Sequence, residues 1–132
     1  MHLKRLLTAT AAAGVLALGL SACGQGSTAS SDGGFEPKGN VTMIVPFAAG
    51  GGSDIAGRAT ASGLEETTGK TITVQNIEGG SGAVGYSEFL GRSGDPNYLL
   101  ATETAMLALP ATQDVEFTYE SFTPIMKLGD DY

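Results

Sequence analysis

A run of glycines set between an apolar pentad and a helix-forming segment constrains this chain most. Val41 to Arg58 reads VTMIVPFAAGGGSDIAGR. Val41 to Val45 has strand length and β-branched content and stops at Pro46. Gly50, Gly51 and Gly52 follow, and Ser53 and Asp54 then stand where side-chain oxygens can cap the first N–H groups of a helix over about Ser53 to Glu66. Strand, glycine turn and helix N-terminus in that order aim free backbone N–H groups and a helix dipole at one small volume, which suits an anion. A tight βα connection without a ligand uses the same residues, because glycine serves turns of any kind.

The N-terminus is not fold material. His2, Lys4 and Arg5 precede an apolar, alanine-rich stretch from Leu6 to Leu20, and Leu20-Ser21-Ala22-Cys23 supplies small residues before the single cysteine. That is the order of a secretory leader, too short for a permanent membrane span. Its ending resembles a bacterial lipobox, with Cys23 as the lipidated new N-terminus. Each buried methylene contributes about 0.8 kcal/mol, so acyl chains on Cys23 would tether the domain to a membrane. Residues 24–39, rich in serine and glycine, read as a flexible linker, and residues 40–132 as the folded part.

The chain carries 14 acidic and 7 basic residues. Loss of Lys4 and Arg5 with the leader leaves 14 against 5, a formal charge of −9. Nucleic acid and anionic lipid are poor partners for such a surface. A bound anion must be held locally, by backbone dipoles and a few donors.

Gly69-Lys70-Thr71 suggests a phosphate loop, but Leu64 stands where that motif needs its first glycine, and a strand follows instead of a helix. Gly69 is better read as a helix stop, with Lys70 at the negative end of the dipole. Thr71 to Gln75 reads as the second strand. Gly80-Ser81-Gly82-Ala83-Val84-Gly85 is a literal G-x-G-x-x-G ahead of a helix over Tyr86 to Arg92, with Glu103 placed like the ribose-binding acid of a dinucleotide fold. Glu78 stands where a pyrophosphate would lie, which argues against that reading. Two parallel βα units are the simpler account: both glycine turns open at one sheet edge, where α/β folds bind ligands, with Ser53, Ser81 and Thr102 as hydroxyl donors.

Val45 to Asp54 with Arg58 is similar to the first signature of the tripartite tricarboxylate transporter substrate-binding (Bug-type) family. Asn76 with Gly79 to Gly85 resembles the second signature, Asp95 to Thr102 the third strand, and Phe122-Thr123-Pro124-Ile125 a later strand. The resemblance implies the first lobe of a two-lobed, periplasmic-binding-protein-like (type II) α/β fold, with the second lobe beyond Tyr132 and Ile125 to Leu128 as a strand leading towards it. It implies an extracytoplasmic receptor that takes an organic di- or tricarboxylate and hands it to membrane permease subunits. The residues it assigns to the ligand are Phe47, Ala48, Gly50, Gly51, Ser53 and Asp54 in the first turn, Gly80, Ser81, Gly82 and Ala83 in the second, and Thr102. Asp54 is read first as a helix cap. The chain departs from the pattern at Ile77-Glu78, where the family often has Arg-Pro, and at Ala83, where a polar side chain is common.

Catalysis has no visible support: His2 leaves with the leader, no cysteine nucleophile remains, and neither metal-ligand spacing nor a cofactor motif survives scrutiny. Glu65-Glu66 and Asp130-Asp131 read as solvated surface, and Met43, Met106 and Met126 as core filler. A truncated, non-binding remnant or surface interaction module is the alternative to the receptor.

Overall fold

A computed structural model describes residues 37–130. The leader, Cys23 and most of the linker lie outside the described residues. Three parallel strands form one sheet in the order β2-β1-β3: β1 (Val41–Val45), β2 (Ile72–Asn76) and β3 (Tyr98–Leu100). β1 pairs with β2 from Val41↔Ile72 to Val45↔Asn76, and with β3 from Thr42↔Tyr98 to Ile44↔Leu100. The class is α/β, as expected.

The central strand is apolar except for the half-buried Thr42, because both of its faces are covered. On one face Val41, Met43 and Val45 pack with Ile72, Ala101 and with Ala61 of α1 (Gly52–Thr68). On the other, Leu100 meets a cluster of Tyr86, Met106, Leu109 and Phe117, supplied by α2 (Ala83–Leu90), α3 (Ala105–Thr112) and the loop that follows. Adjacent residues of a strand face opposite ways, so Leu99 joins the first cluster and Leu100 the second. The chain runs from β1 through α1 to one neighbour, then through α2 across to the other, with the two helices packed in separate clusters.

Several expectations are corrected. α1 begins at Gly52 with Gly51 as its N-cap and no capping side chain, so neither Ser53 nor Asp54 is the N-cap. At the other end Gly69 does stop α1, at φ 67° with its N–H on the Glu65 carbonyl. Lys70 turns away from the helix end, its ammonium donating to the Pro37 carbonyl at 2.7 Å. Glu65 is more than solvated surface, since its carboxylate accepts the Ile72 N–H that opens β2, at 2.7 Å. α2 starts three residues before Tyr86, because the left-handed run of glycines ends at Gly82 and Ala83 is already helical. β3 occupies three residues of the Asp95 to Thr102 stretch. Ile125 to Leu128 forms no strand, nor does Phe122 to Ile125: these residues have no ladder partner, and Met126 is 60% exposed rather than core. No helix of the described residues is long and apolar enough to cross a membrane.

Candidate functional site: paired glycine turns at the sheet's C-terminal edge

β1, β2 and β3 run the same way, so the loops that leave them open on one edge. The Ile77 N–H donates to the Val45 carbonyl and the Ala101 N–H to the Ile44 carbonyl, both at 2.9 Å, which ties the three loops together at their roots. The first turn, Pro46 to Gly51, leads into α1. The second, Ile77 to Gly82, leads into α2, and the third, Ala101 to Thr104, into α3. Phe47, Ala48, Gly50, Gly51, Ser53 and Asp54 thus share a rim with Gly80, Ser81, Gly82, Ala83 and Thr102.

The first turn is held by a polar staple. Asp54 is 3% exposed, and its Oδ2 accepts the Gly50 N–H at 2.8 Å and the Arg58 Nε–H at 3.0 Å. Its Oδ1 accepts from Asn76 Nδ2 at 2.9 Å, which also donates to the Phe47 carbonyl at 3.1 Å. Arg58 Nη2 donates to Asn76 Oδ1 at 3.0 Å. The Arg58 bond, then the Gly50 N–H and Asn76, hold the Asp54 carboxyl down to about 2. Asp54 therefore caps the turn from inside the first helical turn, in the manner of an acid at N3 that reaches back to orphan donors.

That staple changes the donor set. Gly50 N–H is spent on the chain's own carboxylate, and Gly51 N–H reaches only the Ala48 carbonyl, at 3.4 Å. Among the described residues, the N–H groups of Gly52 and Ser53 have no partner within the chain, as follows for the first turn of any helix. The Ser53 hydroxyl is engaged: it donates to Glu103 Oε2 at 2.9 Å.

The second turn is strained and tightly filled. Gly79, Gly80, Ser81 and Gly82 have φ of 133°, 55°, 53° and 102°, and Ser81 is the one non-glycine residue with positive φ among those described. The Gly82 and Val84 N–H groups close on the Gly79 carbonyl, while those of Gly80 and Ser81 have no partner among the described residues. A Cβ on Gly82 would meet Tyr86 Cε2 at 2.8 Å and Phe47 Cζ at 3.3 Å. One on Gly85 would lie 2.7 Å from both the Ile77 oxygen and Pro46 Cα. Gly82 and Gly85 thus let α2 lie against the first turn. The G-x-G-x-x-G pattern has a packing cause here, and the strand after it, β3, is separated from β2 by β1, so Glu103 does not sit beside the motif as a ribose-binding acid would.

Tyr86, fully buried, links all three turns. Its ring meets Phe47 edge-on at 6.5 Å, and its hydroxyl lies 2.9 Å from Thr102 Oγ1, which also donates to the Glu103 carbonyl at 3.3 Å. Burial, with the Glu103 charge adding, pushes the Tyr86 phenol up, so it stays neutral. Thr102 is therefore engaged with Tyr86. Sequence reading missed the roles of Arg58 and Asn76 as positioning residues and of Glu103 at the rim. The Asp54–Arg58 spacing of one helical turn was the available signal. Among the described residues, no group of three metal-ligating side chains is present.

A parallel α/β lobe with two donor-rich glycine turns on one rim is the class that this geometry defines. No family model matches the chain. It is similar to Protein BugT of Bordetella pertussis, at 29% identity over 135 residues that take in 98% of this chain and 39% of the relative. A UPF0065 protein in the TAR-I ttuE-ttuC' intergenic region of Agrobacterium vitis is 41% identical over 49 residues, 37% of this chain and 14% of the relative. The likeness to Bug-type proteins expected from the turn signatures is thus shown, and the chain spans about two fifths of the length of the longer-matched relative.

Proposed function

We propose that this protein is an extracytoplasmic solute-binding lipoprotein that captures an organic acid for a tripartite tricarboxylate-type transporter. One observation carries the reading: the unpaired N–H groups of Gly52 and Ser53 and those of Gly80 and Ser81 open at the same sheet edge, after neighbouring strands. Uncharged donors of this kind hold a carboxylate without a compensating cation, which suits a domain whose net charge is negative. The Bug likeness supports the receptor class. The leader and Leu20-Ser21-Ala22-Cys23 support export and a lipid anchor, and residues 24–39 support a tether between anchor and lobe. The permease subunits of the transporter are the proposed membrane partner. Ala48 adds its backbone to the first turn and Phe47 an apolar wall beside it, while the Ala83 N–H is bonded to the Gly80 carbonyl and its side chain packs on the Tyr86 cluster.

Calorimetric titration of the full chain with citrate, succinate, glutarate and an aromatic acid tests the capture step; silence across that panel sinks it. Anchoring is tested separately by palmitate labelling in a bacterial host, where Cys23→Ser should release the protein from the membrane fraction.

A further inference from the structure

The rim that this reading assigns to an acid already holds an acid of the protein's own. Glu103 leaves the end of β3 and places Oε2 2.9 Å from the Ser53 hydroxyl, at the N-terminal turn of α1. Its backbone is held in place: the buried Tyr86 hydroxyl bonds Thr102 Oγ1, which donates to the Glu103 carbonyl. The carboxylate thus stands between the first and third turns, at the gap between β1 and β3, and shares the helix dipole that a ligand anion would use.

Among the described residues no basic side chain offsets it. Five cations lie among the described residues. The Arg58 side chain, on the second turn of α1, is bonded to Asp54 and Asn76. Lys70 donates to Pro37, and Lys38 lies beside Asn97 at the opposite ends of the strands. Arg92 is paired with Glu88 over the Tyr98 ring at the far end of α2, and Lys127 is paired with Asp130. The rim therefore presents peptide N–H donors and two exposed carboxylates, Glu78 in the second turn and Glu103, which the Ser53 hydroxyl holds between the first and third turns. A wholly anionic diacid brings a second like charge up to Glu103. An acid with an ammonium group on the carbon next to its carboxylate satisfies the donors and Glu103 together.

We infer, resting on the receptor reading above, that Glu103 is the specificity-determining residue of the rim, selecting acids that carry an ammonium group over acids of purely negative charge. Ser53 positions it.

The test is a nuclear magnetic resonance titration of the full chain, following the Gly52, Ser53, Gly80 and Ser81 amides and the Glu103 side-chain carboxyl. The probes are succinate, malate and aspartate, which share one carbon skeleton and differ in bearing a hydrogen, a hydroxyl or an ammonium group. The expected result is tightest binding for aspartate, about tenfold over succinate, as a charge-assisted hydrogen bond supplies, with the Glu103 carboxyl shifting on binding. Glu103→Gln should bring aspartate and succinate within about twofold of each other. Amides that move with all three acids, without preference or with a preference that Glu103→Gln leaves intact, overturn the inference and spare the receptor reading. Amides that respond to none of the three, or to none of the wider panel, overturn both.

Discussion

Asp54 and Asn76 are 22 residues apart in sequence, yet Asn76 Nδ2 donates to Asp54 Oδ1 across 2.9 Å and ties the first turn to the end of β2. The same amide holds the Phe47 carbonyl. Asn76→Ala should therefore free the first turn while leaving the sheet intact. The expected outcome is a lower urea midpoint with an unchanged slope, and faster hydrogen exchange at the Gly50 amide. Asn76→Asp should lower the midpoint further, because it sets a second carboxylate against Asp54.

Acid should weaken the fold in a defined window. Asp54 is held to about 2 in the folded protein, below the value near 3.9 of a free aspartate. The unfolded chain therefore takes up the proton first as pH falls. The stability that Asp54 confers is complete above about pH 4 and is lost progressively towards about pH 2. Urea midpoints measured from pH 5 to pH 2 should fall, and the part of that fall due to Asp54 should vanish in Asp54→Asn.

Two glycine-to-alanine changes should move stability in opposite directions. At Gly85 a methyl group would press on the Ile77 oxygen and Pro46 Cα, both backbone atoms that cannot swing aside. Gly85→Ala should cost about 1–3 kcal/mol or more and push α2 off the first turn. Gly63 lies inside α1 with open space where a Cβ would stand. Gly63→Ala should add about 0.5–1 kcal/mol by helix propensity. Thermal denaturation of both variants checks the pair.

Ser81 separates strain from binding. Its φ of 53° is unfavourable for a residue with a Cβ. Ser81→Gly should relieve about 1 kcal/mol of backbone strain, read as a rise in melting temperature. It also removes a hydroxyl from the second turn, so acid affinity should fall in the same variant. A rise in stability with unchanged affinity would leave the turn's contribution to its backbone N–H groups alone.

Tyr86 should be the most sensitive aromatic position. It is fully buried and packs on Phe47, Phe117 and Phe122. Tyr86→Ala should cost about 3–5 kcal/mol. Tyr86→Phe keeps the packing and loses the Thr102 bond, for about 1 kcal/mol. Chemical denaturation of the two variants distinguishes the ring from its hydroxyl.

Much of the fold was legible in the chain because local physics determines it. Val41 to Val45 is a strand in both readings, since a β-branched run ending at proline has no good helical alternative. Gly69 stops α1 because only a residue without a Cβ takes its left-handed φ cheaply. The order of strand, turn and helix, repeated once, requires parallel strands and places both glycine turns on one edge.

What the tertiary structure decided is which donors and acids those turns keep for themselves. The Ser53 hydroxyl looked like a free donor until β3 brought Glu103 alongside, whereas Gly50 is taken locally, by the Asp54 carboxylate four residues on. Asn76 and Arg58 meet only because β2 lies next to β1. Hydrogen bonds between residues 18 to 50 positions apart leave no periodic trace in a sequence. Their partners are set by strand order, and strand order is settled by which faces of β1 the helices cover.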